Sequence, residues 1–177
     1  MKHYEAPWST SLIVMSVFTS MICLGVSAGA WWAAVAKHQA APVRWVALLP
    51  LVLLFCTALF TIRGYAITSE AILVDRLLWS TALPRLGLEL ARVEPDAMRG
   101  SIRTFGNGGA FSFTGFYYNK RLGSYRAFVT DPRRTVVLCY ANRRIVLSPA
   151  APQAFVSDLA VPDRQQTKPF YQPITKT

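Results

Sequence analysis

The chain is expected to fold as a membrane-anchored α+β protein, in which a two-helix transmembrane hairpin precedes an antiparallel β domain. Three observations lead there. Ser11 to Ala36 carries no formal charge, and a second apolar run extends from Trp45 to Ile62; about 20 apolar residues suffice to cross a bilayer core. The stretch from Ile102 to Thr130, IRTFGNGGAFSFTGFYYNKRLGSYRAFVT, alternates as strands do around a glycine-rich corner and a basic turn. Charge is also segregated. Only Lys2, Lys37 and Arg44 precede position 63, so most of the formal +10 charge falls after the apolar runs.

Residues 1–10 read as a short polar lead. Residues 11–62 form the hairpin, with spans over about 11–36 and 43–62 broken by Lys37-His38-Gln39-Ala40-Ala41-Pro42. Trp8, Trp31, Trp32 and Trp45 stand at the span edges, as interfacial aromatics do. Ser27-Ala28-Gly29-Ala30 has the small residues of a signal-peptidase site, but the apolar run continues past it and the segment before it carries little positive charge. Gly25, Gly29 and Ala33 form a small-residue step suited to close helix packing, first against the second span and alternatively against a second copy. Pro50 is expected to kink the second span. Neither span holds an ionisable residue in its interior, which argues against an ion or proton path through these helices alone. The basic residues near the span ends favour both termini in the cytoplasm and an inner-membrane location.

Residues 63–160 form the β domain. Strands are expected at Gly64–Ile67, Ile72–Leu78, Trp79–Leu83, Leu86–Val93, Ala110–Tyr118, Ser124–Thr130, Thr135–Tyr140 and Arg144–Ser148, with turns between them. Gly106, Asn107, Gly108 and Gly109 make a structural turn, and a phase slip at Gly115 marks a bulge or bend that puts Phe116 and Tyr118 on the apolar side. A short helix follows from Pro152 to Leu159, and residues 161–177 read as a flexible polar tail.

The chemistry on offer is that of binding. The glycine corner is followed by Ala110-Phe111 rather than by Lys-Ser or Lys-Thr opening a helix, so it is not a phosphate-binding loop. His3 and His38 both precede the β domain and Cys23, Cys56 and Cys139 are scattered, so no metal, no cofactor and no histidine-based catalysis is expected. The aromatics are phased as core, and nucleic acid is not expected as a partner. If the last four strands form a meander, Lys120 and Arg121 share one end of the sheet with Arg143 and Arg144. Such a cluster suits an anionic lipid or a protein partner, and basic turns also keep a β domain soluble.

Several motifs carry a family resemblance. They are Arg103, Phe105, Gly106 to Gly109 and Phe111 in the corner; Gly123, Tyr125 to Ala127 and Val129 to Asp131 in the next strand; and Ser148, Pro149, Pro152 and Phe155 at the close. Over Arg63 to Leu159 the chain resembles the bacterial PH-like domain membrane proteins. The resemblance implies a PH-like antiparallel β-barrel or sandwich capped by a C-terminal helix, and no catalytic site. The loop that carries the basic residues of phosphoinositide-binding PH domains would here be Thr68-Ser69-Glu70, short and acidic, which disfavours that route. The expectation is a membrane-tethered, non-catalytic module that docks a protein partner. The alternatives are an anionic-lipid sensor or an accessory subunit of a membrane enzyme or transporter, and oligomerisation is open.

Overall fold

The computed structural model describes residues 1–160, so the tail expected over 161–177 lies outside the described residues. The polar lead is not a lead. Lys2–Glu5 is strand β1, paired antiparallel with β2 in the register Lys2↔Ile67 to Glu5↔Gly64. Four residues are too few to announce a strand by alternation, and their partner lies some sixty positions away.

Helix α1, Thr10–Ala36, begins at Ser9, whose hydroxyl accepts from the Leu12 amide as an N-cap. The second apolar run is divided. Helix α2 is Ala41–Val46, Ala47 and Leu48 form a turn, and α3 is Leu49–Leu59. Pro50 therefore opens a new helix in its first turn, where no amide is needed, instead of kinking a continuous one. Residues 10–36 and 41–59 are long and apolar enough to cross a membrane, with mean hydropathies of 2.0 and 1.9. Few of their side chains are buried: Leu12, Ser16, Ser27 and Ala34 in α1, and Ala47 between α2 and α3.

Strand β2 takes Ile62 from the expected span and runs to Ile67. It is followed by β3 Ala71–Arg76, β4 Ser80–Pro84, β5 Leu88–Val93, β6 Ile102–Gly108, β7 Phe113–Asn119, β8 Gly123–Val129, β9 Val136–Tyr140, β10 Arg143–Leu147 and helix α4 Pro152–Leu159. They form a four-stranded sheet ordered β1-β2-β3-β4 and a six-stranded sheet ordered β5-β9-β10-β8-β7-β6. Of the expected barrel or sandwich the two separate sheets exclude the closed barrel, and the expected four-strand meander is corrected. The sheets stay open, and β10 inserts between β9 and β8, running parallel to β8. Turn residues report that a chain reverses, not which neighbour it returns to.

The sheets face each other across one core. Tyr65, Ile72 and Val74 come from the first sheet, Phe128, Leu138, Ile145 and Leu147 from the second, and Phe155 and Leu159 from α4. The six-stranded sheet also buries its other face, through Tyr117, Tyr125, Val137 and Val146 beneath Ala97. Strand β9 alternates between the two cores, which is why it reads as an unbroken apolar run.

A clasp joins the two ends of the described chain. The Lys2 ammonium donates to Asp158 at 2.6 Å and the Tyr4 hydroxyl donates to the other carboxylate oxygen. These two hydrogen bonds hold the Asp158 carboxyl below its ordinary range. A depressed folded pKa stabilises the fold above the unfolded value and ceases to do so as pH falls through the folded one. Acidification below about pH 4 is therefore expected to lower amide-exchange protection in β1 while leaving β8 protected. Protection of β1 that does not change through that range would show that the clasp contributes nothing.

Candidate functional site

The β domain is bolted to the helices at three points. Ser9 donates to the Thr130 carbonyl through both its amide, at 3.2 Å, and its hydroxyl, at 3.1 Å. The Phe111 amide donates to the Ser16 hydroxyl at 2.9 Å, and the Trp8 and Phe111 rings meet edge to face. Phe111 adopts φ +64, a left-handed conformation that only such support makes tolerable for a side chain of this size. The third point is the Phe60 carbonyl at the end of α3, which accepts from both Ser112 Oγ and Arg76 Nη1 at 3.1 Å. A cation here also complements the negative end of the helix.

Arg76 is the unusual residue. It is 7% exposed, yet among the described residues its guanidinium faces rings and no carboxylate: Phe60 at 5.4 Å, Trp79 at 5.7 Å and Phe128 at 5.3 Å. Its Nε is buried with no hydrogen-bond partner among the described residues. Burial, with a smaller contribution from the nearby Arg126 charge, pushes its pKa down, and Tyr65 opposes this weakly.

Arg76 opens onto a crevice of about 500 Å³ between the end of α3 and the β6–β7–β8 face. Arg126 and Arg103 also line it, and among the described residues no carboxylate does. Arg126 lies over Phe128 at 4.7 Å and over Phe116 at 5.8 Å. Arg103 crosses Gly108, where an added Cβ would fall 2.6 Å from its Nη1. Thr57 and Phe60 form the helix side, and Phe105 and Phe116 the outer wall.

That wall corrects the expected phase. Tyr117 is the buried aromatic of β7, whereas Phe116 and Tyr118 are exposed, as is Phe105 opposite Phe116 at 75%. The expected turn at 106–109 is also moved. Gly106, Asn107 and Gly108 belong to β6, and the reversal falls at 109–112, where Asn107 pairs with both the amide and the carbonyl of Ala110. Gly106 stands directly opposite Gly115, and the register shift lies in β6 between Arg103 and Phe105.

The basic turns do gather at one end of the sheet, by another route. Because β10 runs parallel to β8, both begin at the same end, and Arg144 donates to the Leu122 carbonyl across them. Arg121 pairs with Glu94, and Arg143 stacks on Tyr140 at 4.7 Å. Lys120 makes no hydrogen bond or ion pair among the described residues. Lys120 lies beyond the end of β7, whereas Arg143 is two residues along β10 from Ile145, which is registered with the crevice residue Arg126.

Gly25 and Gly29 are not the seam between the helices. An added Cβ at either meets nothing within 4 Å. The buried small residues of α1 are Ser16, Ser27 and Ala34, on a different face, and Ala33 is half-buried beside it. A GxxxG step signals that close approach is possible, not on which side a partner lies. Among the described residues, no group of three or more His, Cys, Asp or Glu side chains is placed to hold a metal ion.

The one signal for the crevice available in the sequence was Arg76, a basic residue closing an apolar strand directly before Leu77-Leu78-Trp79. Nothing in the sequence brings it to Arg103 and Arg126.

Two facing sheets closed by a C-terminal helix follow the apolar helices in this chain. The family model for the bacterial PH domain matches residues 63–162, and the chain belongs to that family. PH domains are in general binding modules and not catalysts. No curated protein and no solved structure matches the chain significantly.

Proposed function

We propose that the chain is a non-catalytic module, tethered by its helical hairpin in the bacterial inner membrane with the β domain on the cytoplasmic side, that docks a protein segment at the membrane surface. The hairpin dimensions support insertion. Ser16 and Phe60 sit at one level, since both bond the 111–112 turn. From Ser16 to Ala36 the helix rises about 30 Å, the thickness of a hydrocarbon core.

One observation carries the docking. Strand β6 is the outer edge of the six-stranded sheet, and Ile102 to Gly106 are exposed throughout. An open edge of that length offers main-chain hydrogen bonds to an incoming strand, with Ile102 and Phe105 for side-chain pockets. The bulge by Arg103 limits indiscriminate pairing.

A photocrosslinker at Ile102 in native membranes is expected to give a discrete adduct, and one at Leu86, exposed on the β4–β5 connection, is not. Ile102→Lys, tested with the crosslinker at Thr104, should abolish the adduct and leave thermal stability within about 0.5 kcal/mol. Adducts of equal yield at both positions, or none at Ile102, would refute edge docking. Release of the chain from carbonate-washed membranes would refute the insertion.

A further inference from the structure

We propose that the crevice between α3 and the β6–β7–β8 face binds the phosphate of an anionic phospholipid, taken from the leaflet in which α3 ends. The proposal rests on the hairpin's insertion and is independent of strand docking.

Charge comes first. Arg76, Arg103 and Arg126 line one crevice with no carboxylate among the described residues, in a protein that pairs other arginines: Arg121 with Glu94, and Arg134 with Asp131 at 3.8 Å. Arg76 is nine-tenths buried, and its Nε has no partner among the described residues. Ring faces and a single carbonyl soften that arrangement without satisfying the guanidinium's donors. An anion in the crevice supplies what is missing, and a phosphate presents several acceptor oxygens to converging guanidinium forks.

Position selects the source. Thr57 is within the last turn of α3 and Phe60 closes it, so the crevice opens where the apolar helix ends. If the segment from Ser16 to Ala36 fills the hydrocarbon core, that level is the headgroup layer. The outer wall is apolar where a lipid's glycerol and chain tops would pass, through Phe105 and Phe116. Beside it, the β3–β4 turn exposes Leu77 and Leu78 and sets Trp79 edge to face against Phe60 at 5.2 Å, as an interfacial anchor would. The floor includes Gly106 and Gly115, which leave the backbone bare.

The experiment uses the full-length chain, purified from carbonate-washed membranes in a neutral detergent. It is mixed with equal amounts of phosphatidylglycerol and phosphatidylcholine and read by native mass spectrometry. Phosphatidylglycerol adducts are expected to exceed phosphatidylcholine adducts by about tenfold, the factor that a charge-assisted hydrogen bond or two supplies. Arg126→Gln, whose guanidinium only stacks on rings, should reduce that preference to about twofold or less. Arg76→Gln is a second variant, to be read once near-UV circular dichroism confirms that it folds. Lys120→Gln, in the β7–β8 turn and outside the crevice lining, should keep the wild-type preference.

Equal adducts of the two lipids, or a preference unchanged in Arg126→Gln, would overturn the site. Displacement of the lipid by millimolar glycerol 3-phosphate as readily as by added phosphatidylglycerol would assign it to a soluble phosphate and overturn the lipid source. If Arg126→Gln loses the protein crosslink while its lipid preference persists, the crevice takes an acidic protein segment and the lipid site falls. A chain that carbonate releases from membranes sinks insertion and lipid site together, whereas an inserted chain without lipid preference sinks the lipid site alone.

Discussion

Gly115→Ala is expected to destabilise the β domain by about 3 kcal/mol or more, from overpacking and backbone strain together. Gly115 and Gly106 face each other across β7 and β6 with the backbones in close approach. A Cβ on Gly115 would lie 2.2 Å from the Phe105 carbonyl oxygen and 2.8 Å from the Gly106 Cα. Neither obstacle is the tip of a flexible side chain, so the strands themselves must part. Its φ of +142 adds strain for any L side chain. Gly106→Ala should behave alike, since its Cβ would fall 2.4 Å from the Thr114 carbonyl oxygen and its φ is +112.

Two other glycines calibrate the effect. Gly123→Ala meets only Arg144 Nη1 at 3.5 Å, so it should cost only the left-handed conformation, about 1 kcal/mol. Gly25→Ala, with nothing within 4 Å, should be close to neutral. Thermal unfolding of the full-length protein in detergent, followed by near-UV circular dichroism, ranks the four. A loss for Gly115→Ala no larger than for Gly123→Ala would show that the two strands separate at little cost.

Ser148→Ala is expected to cost about 3 kcal/mol, because it strands two buried amides at roughly 1–3 kcal/mol each. Ser148 Oγ accepts from the Thr130 amide at 2.8 Å and the Asp131 amide at 3.2 Å, tying the end of β10 to the end of β8. Tyr65 completes the node. Its hydroxyl donates to the Phe128 carbonyl at 2.7 Å and accepts from the Ser148 amide at 3.2 Å. Burial, only partly offset by these hydrogen bonds, pushes the Tyr65 hydroxyl up to about 12, so it stays a donor across the physiological range. Tyr65→Phe and Ser148→Ala should be less than additive, as members of one network are. Because Ser9 hangs from the Thr130 carbonyl, Ser148→Ala should also raise amide exchange at the start of α1. Full additivity with no change at α1 would dissolve the node into separate contacts.

The node explains why the Val129-Thr130-Asp131 and Ser148-Pro149 motifs were informative in the sequence. They mark two strand ends whose buried polar groups are satisfied by one another together with Ser9 and Tyr65. Strand existence was legible for the same kind of reason: alternation and turn residues are local properties. The β1 strand was not legible, because its pairing with β2 is the only thing that makes it a strand. Phe116 and Tyr118 were misassigned because the period of two says which residues share a face, not which face is covered. Neither ring joins the core between the sheets, and which part of a face is covered is set by elements elsewhere in the chain.

The candidate site divides in the same way. The basic turns were legible as a cluster because parallel pairing of β8 and β10 and the expected meander both place their starts at one end. The arginine crevice was not, since Arg76, Arg103 and Arg126 come from three strands in two sheets and meet only at the end of α3. By itself the sequence determined two apolar helices, a β domain of the bacterial PH family and a C-terminal helix, because hydropathy, strand period and turn chemistry act over a few residues. The tertiary structure alone decided that β10 enters between β8 and β9, that β6 is left as an open edge, and that a buried arginine, with no carboxylate beside it among the described residues, faces the apolar helices. Those outcomes depend on which distant surfaces cover one another, and no local pattern encodes that.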